Sequence, residues 1–310
     1  MTTYLPAVPG YEHLGVPPGD IVHLTEYVTS AAPNLDRRRT AVLGDHFAPV
    51  SRVPVESIVG TGSPYAVAAV THPGGGELLA DGVRIADGVV YLPSVHTAEG
   101  DFREQYRWCL QRVADLLAAA GLDAGALVRT VDYTATATRA EYPRCGRPRR
   151  ELLPGPVFPG AAGILVDVPV APGAQVSLDA VAATGPLEVI NPGWKRYDTL
   201  TYQPAVRAGN TIFLAGFGAL DPETQAAVHP GDLAAQAEFI YRAIDTVLAS
   251  TGADVVHMVE YLTPAAAASY PATRELRAAH FPNAVVTPVV CSALLRPEFL
   301  LETVPTAVIA

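Results

Sequence analysis

The residue types that most often carry chemistry are present, but without the spacing that chemistry needs. Cys109, Cys145 and Cys291 are far apart and odd in number, so they form no disulfide framework and no CxxC pair. Free thiols of that kind fit a reducing cytoplasm, where the chain is expected. The eight histidines show no HExxH or His-x-His spacing, so no metal is expected. Gly216-Phe217-Gly218 lacks the third glycine of a dinucleotide fingerprint, and neither a P-loop nor a Gly-x-Ser-x-Gly elbow occurs, so no cofactor is expected. Cys291, in an apolar strand, reads as inert core, because a reactive thiol needs an electropositive, accessible setting. His229, in Val228-His229-Pro230-Gly231-Asp232, reads as a solvated turn residue. The short basic run from Arg144 to Arg150 reads as a helix face.

Composition excludes whole classes of function. With 49% apolar and 17% charged residues in 310, the chain has material for a large core. Its length suggests two domains on a prior of about 150 residues each. Lys and Arg number 21 against 31 Asp and Glu, a net charge of −10. Such a chain, without an aromatic-basic stripe, is a poor ligand for nucleic acid. No apolar run approaches a membrane span, and the N-terminus shows no basic region followed by an apolar block, so neither a membrane segment nor a signal peptide is expected.

The elements that must position any site are set by a repeat. Asp20 to Ala32 and Asp254 to Ala266 share eight of thirteen residues, at an offset of 234. The same offset maps His46-Phe47 onto His280-Phe281 and Pro54-Val55 onto Pro288-Val289. Val128 to Thr134 is a weaker third copy, 128 residues before Val256 to Leu262. Each copy reads as a strand, a helix and two further β-branched runs. His23 and His257 fall on equivalent strand positions, which favours a shared structural role. The two later copies add a front half. Val83 to Val95 is a hairpin around Asp87-Gly88, and Val206 to Gly216 one around Gly209-Asn210. Apolar residues from Phe102 to Leu117 and from Leu233 to Leu248 then recur at helical spacing, closed by Gly121 and Gly252. The organisation expected is two and a half α+β units: residues 1–72, a truncated back half, and 78–186 and 187–310, both complete. Each is a mostly antiparallel sheet with helices on one face.

These residues carry a family resemblance. Val206-Arg207-Ala208-Gly209-Asn210-Thr211-Ile212-Phe213-Leu214-Ala215-Gly216 resembles the hairpin that opens RidA-type (YjgF) proteins. Leu220 to Thr224, Gly231 to Gln236 and the Asp254 to Thr263 strand are similar to that family's later segments. The resemblance spans nearly all of the third unit, most of the second and the back half of the first. It implies a chorismate-mutase-like fold, three segments around a pseudo-threefold axis, and clefts between adjacent units. The truncated first unit would leave a free sheet edge and an uncovered face, so self-association is expected, with a dimer favoured.

The resemblance also implies site residues. An arginine at a strand start holds the substrate carboxylate in the family, and Arg52 falls there, with Val286 its counterpart in the third unit. The second unit has no basic residue in Gly160 to Ile164. The family's last-strand glutamate positions water. Asp179 matches it one methylene shorter, Ala69 stands there in the first unit and Val304 in the third, with Glu302 on an earlier, outward-facing position. A family tyrosine is matched by Tyr202 alone. Arg52 is thus expected to bind substrate, and Asp179 and Tyr202 to be catalytic, with the working cleft at a junction between units.

Three functions follow. The first is an enzyme that hydrolyses a small, carboxylated imine or enamine, or performs a diverged, specialised biosynthetic step of that kind. The second is chorismatase-like cleavage of chorismate; Phe158 to Ile164 and the Val228 to Asp232 loop are loosely similar to that family, and Val304 in place of its last-strand glutamate counts against it. The third is a non-catalytic binder or scaffold.

Overall fold

A computed structural model describes residues 1–309 of the chain. The three long strands expected from the repeat all form, and each lies inside its own sheet. The first part comprises β1 (Thr3–Tyr4), β2 (Ile21–Val28), α1 (Leu35–Leu43), β3 (Val50–Pro54), β4 (Ser57–Ile58) and β5 (Tyr65–Thr71). Its sheet runs β1-β5-β2-β3. The second part comprises β6 (Glu77–Leu78), β7 (Arg84–Ala86), β8 (Val89–Tyr91), β9 (Val95–His96), α2 (Phe102–Ala119), β10 (Leu127–Ala135), α3 (Gly146–Leu152), β11 (Gly160–Val166) and β12 (Val176–Ala183). The third comprises β13 (Leu187–Ile190), β14 (Ala205–Ala208), β15 (Thr211–Leu214), β16 (Phe217–Gly218), α4 (Leu233–Leu248), β17 (Ala253–Leu262), α5 (Arg274–His280), β18 (Val285–Val290), β19 (Ala293–Leu294) and β20 (Leu301–Ile309). In each sheet the long strand pairs parallel with the strand after its helix and antiparallel with the last strand of its part, β2 with β5, β10 with β12 and β17 with β20.

Local sequence explains the helices. Asp101 caps α2 in a capping box with Glu104, and Asn34 and Asp232 cap α1 and α4. The apolar stripes of α2 and α4 are buried against the outer faces of their sheets. The inner faces of all three sheets meet in one core, where Tyr27, Tyr133 and Tyr261 occupy equivalent strand positions and the Tyr133 and Tyr261 hydroxyls are 2.8 Å apart. The parts also exchange edges: β4 extends the third sheet beside β18, and β19 extends the second beside β11. An exchanged strand satisfies backbone groups that an open edge would leave to solvent.

Three expectations need correction. The outer face of the first sheet is not bare, because two 3-10 turns, Tyr11–His13 and Pro18–Asp20, join α1 there, and Tyr11, Leu14, Leu35 and Leu43 pack on Leu24 and Val67. Ser94 donates its N–H to Val50 at 3.0 Å, so the sheet's β3 edge is not wholly free. The 234-residue offset holds at β2 and β17 but slips by two residues at the next strand. Leu24 pairs with Val50 where Met258 pairs with Val286, so the counterpart of Val286 is Val50, not Arg52. In the last strands Ala68, not Ala69, pairs with Thr25, as Asp179 pairs with Val131 and Val304 with Val259.

Candidate active site

The three residues singled out by sequence lie in three different places. Arg52 is held at 3.0 Å by Glu26 and at 3.0 Å by Asp36, both from its own part, and lines neither of the two cavities described below. Two carboxylates already use its donors, which leaves no free fork for a substrate. Asp179 faces a small cavity of about 100 Å³ on the common axis, enclosed by all three parts. Burial pushes its carboxyl up to about 7, against the opposing pull of Ser51, Tyr133 and Arg129. His23, Arg129 and His257 form one layer of that cavity, and burial lowers the histidines to about 4 and about 3, so both are neutral at pH 7. A volume of that size holds a few waters. Tyr202 lies elsewhere, in a cleft of about 580 Å³ between the second and third parts.

That cleft collects the chemistry. Its floor is β11, where Ala161, Ala162 and Gly163 carry little or no side chain, and Gly216 closes the junction by donating its N–H to Ala161 at 3.0 Å. Glu302 projects into this space from β20. It is 6% exposed, and burial raises its carboxyl to about 8; the charge of Asp132 adds to the rise and the Gly163 N–H opposes it. A Cβ on Gly216 would run into the Glu302 carboxylate and sit 2.7 Å from Ala162, so only glycine permits this approach. Residues 302 and 304 are two apart on one strand and share a face. Glu302 is therefore not outward-facing, contrary to the sequence reading.

Arginines line the same cleft. Arg139 donates to the Leu294 carbonyl at 3.1 Å, and Arg196 to the Tyr202 hydroxyl at 3.0 Å; the Nε of each is buried without a partner. Arg296 lies at the rim and reaches the Gln225 carbonyl at 3.4 Å. Arg149 is 5% exposed and spans the junction, donating to the Thr130 hydroxyl at 3.0 Å and the Thr201 carbonyl at 3.0 Å. Arg149 is thus the buried member of the basic run, whose Arg144, Arg147 and Arg150 stay exposed as the expected helix face. Among the described residues none of these four guanidiniums has a carboxylate within 4.0 Å. A cleft with unpaired cations and a carboxyl that stays protonated at neutral pH is built to bind an anion and give it a proton. Sequence reasoning missed Arg139, Arg196 and Arg296, because they stand on turns and linkers where the repeat has no counterpart. Glu302 was within reach, from the two-residue period of a strand.

The fold and cleft define a tandem α+β chain with a cleft between its second and third units. Residues 197–309 match the family model described as Endoribonuclease L-PSP. The 3-aminoacrylate deaminase RutC of Acinetobacter baylyi is 29% identical over 124 residues, covering 39% of this chain and 98% of that protein. A chorismatase crystal structure superposes over 99% of this chain and 97% of its own, with a TM-score of 0.67 and 16% identity, a likeness of fold. A member of the YjgF/YER057c/UK114 family from Mycobacterium tuberculosis matches 40% of this chain and all of its own, at 26% identity and a TM-score of 0.34. The third unit is similar to the RidA/YjgF superfamily, and over its whole length the chain shares the fold of a chorismatase. None of its described helices is long and apolar enough to cross a membrane.

Proposed function

We propose that the chain is an enzyme of the chorismatase kind: it binds a small dicarboxylate in the cleft between its second and third units and cleaves an enol ether by acid catalysis. The observation that carries this reading is Glu302, a buried carboxyl raised to about 8 inside a cleft lined by arginines without carboxylate partners. At pH 7 such a group is about nine-tenths protonated. A general acid with that pKa has a proton to give and enough acidity to give it. Protonation of the terminal carbon of an enol ether creates an oxocarbenium ion, which water then attacks. Arg139 and Arg196 stand on either unit to hold the carboxylates, and Tyr202, anchored by Arg196, orients the substrate. The cleft volume of about 580 Å³ suits a molecule of chorismate's size, within the usual range of about 300–1,000 Å³ for small-ligand sites.

The RutC likeness supports a second reading, the hydrolysis of a small enamine acid by the same protonation at carbon. Such a substrate fills little of the cleft. Chorismate and freshly generated 2-aminoacrylate separate the two: pyruvate without ammonia from the first supports the chorismatase reading, and pyruvate with ammonia from the second supports the enamine reading. No turnover of either would favour a binder or scaffold. The ligand in each case is a small carboxylate, not nucleic acid, and the chain is proposed to act in the cytoplasm.

A further inference from the structure

The three sheets share one buried carboxylate position and use it differently. Glu26, Asp132 and Glu260 occupy it, each opposite the strand after its helix. Glu260, fully buried, accepts from Tyr241 at 2.6 Å, from Tyr270 and from Arg277 at 3.0 Å. Glu26 accepts from Tyr11, Arg39 and Arg52. Both are closed structural clusters, with every acceptor met by a donor.

The second sheet has the same surroundings. Tyr106 comes from α2, Tyr142 from the 3-10 turn Tyr142–Cys145, and Arg149 stands on α3 as Arg277 stands on α5. Its carboxylate, however, is an aspartate, one methylene shorter. Asp132 has no guanidinium within 4.0 Å, and Arg149 turns instead to Thr130, Tyr106 and Thr201. The Tyr106 hydroxyl is 3.4 Å from Oδ1, and Oδ2 is buried with no hydrogen-bond partner. A buried carboxylate oxygen without donors is costly, and the two glutamates show how this chain avoids that cost elsewhere. Asp132 lines the same cleft as Glu302. Gly163, its neighbour on β11, carries no side chain; a Cβ there would collide with the Tyr142 hydroxyl and lie 2.8 Å from Leu295, so only glycine lets Tyr142 pack beside Asp132 at the cleft.

We propose that Asp132 is the second catalytic carboxyl of the cleft, the base that takes the proton of the attacking water while Glu302 protonates the substrate carbon. This rests on the reading of the cleft given above. In the enol-ether case the balance is as follows. The Glu302 proton goes to the terminal carbon. Water oxygen bonds to the oxocarbenium carbon and yields its proton to Asp132. The bond from that carbon to the ether oxygen breaks as Asp132 returns the proton to the departing oxygen, and the remaining hydroxyl proton restores Glu302 as the ketone forms. The net change adds one water and releases an alcohol and pyruvate, with no oxidant or reductant. Burial sets Asp132 at about 6 and Glu302 at about 8, so the pair divides into base and acid near pH 7. The groups facing Asp132 are Tyr106 and Cys109 from α2, Tyr142, Cys145, Arg149 and Glu302; the Tyr142 hydroxyl, then Arg149, the one fixed charge, and the Tyr106 hydroxyl oppose the rise.

Asp132→Glu is the decisive variant. Its longer carboxylate should reach Arg149, as Glu260 reaches Arg277, and fold at least as stably as the wild type. Turnover of chorismate should nonetheless fall about a hundred- to ten-thousandfold, the usual contribution of a general base. Asp132→Asn should fold and lose the acidic limb of the kcat/KM profile near pH 6. Wild-type turnover in the Glu variant would overturn the proposal. Carbon-13 NMR of labelled carboxyls tests it apart from the substrate. A resonance titrating near 6 that vanishes in Asp132→Asn supports the open carboxyl, and titration of Asp132 below 4 refutes it. Idle wild-type protein with that resonance in place would count against chorismate and leave the carboxyl pair standing.

Discussion

Replacing Glu302 by Gln should change how stability depends on pH. The glutamate carries its charge at a cost that burial imposes and the nearby Asp132 increases, so its folded-state pKa is about 8 against an ordinary 4.5. Because the folded value is raised, this group's favourable contribution is complete below the unfolded pKa and is lost as pH rises through the folded one. Glutamine has no such dependence. At 1.36 kcal/mol per unit, the wild type should lose about 3–5 kcal/mol more stability than Glu302→Gln between pH 5 and pH 9. The range is wide because the two carboxyls titrate as a pair. Urea unfolding of both proteins at pH 5, 7 and 9, with equal m-values, measures the difference directly. Parallel stability curves would show that Glu302 is ionised at neutral pH, and the case for a general acid would fail.

Other substitutions separate the cleft from the rest of the fold. Arg139→Ala and Arg196→Ala should each weaken chorismate binding by about ten- to a hundredfold, since a charge-assisted contact contributes about 1.5–3 kcal/mol; calorimetry with unchanged affinities would remove them from the site. Arg52→Ala should leave binding intact and lower stability by about 1–3 kcal/mol, because Glu26 loses one of its donors; a weakened ligand with unchanged stability would reverse that assignment. Asp179→Asn should leave turnover unchanged and raise stability at pH 9 but not at pH 4, because its carboxyl is raised to about 7 in the axial cavity; a fall in kcat would return it to the active site.

Much of the fold was legible because it is repeated. Asp20 to Ala32 and Asp254 to Ala266 mark equivalent strands, and hairpin and capping residues mark the ends of the elements between. The site was less legible, for three physical reasons. A two-residue slip between strand pairs moved Arg52 off the position where constant spacing puts it. Strand parity places Glu302 beside Val304, on the inner face. The arginines that line the cleft lie on the turn after β10 and on segments flanking the third sheet, where a repeat-based reading has no template. What distinguishes Asp132 is a difference between copies, visible only once Glu26 and Glu260 are seen closed by their arginines.

The central claim is that Glu302 protonates an enol ether bound between the second and third units. The direct measurement is pyruvate and ammonia release from chorismate by the wild type and by Glu302→Gln, on protein shown to be folded at the assay pH. The expected result is pyruvate without ammonia from the wild type and a loss of at least about a hundredfold in the Gln variant. Unchanged chorismate with the wild type, or pyruvate released at the wild-type rate by the Gln variant, would contradict it.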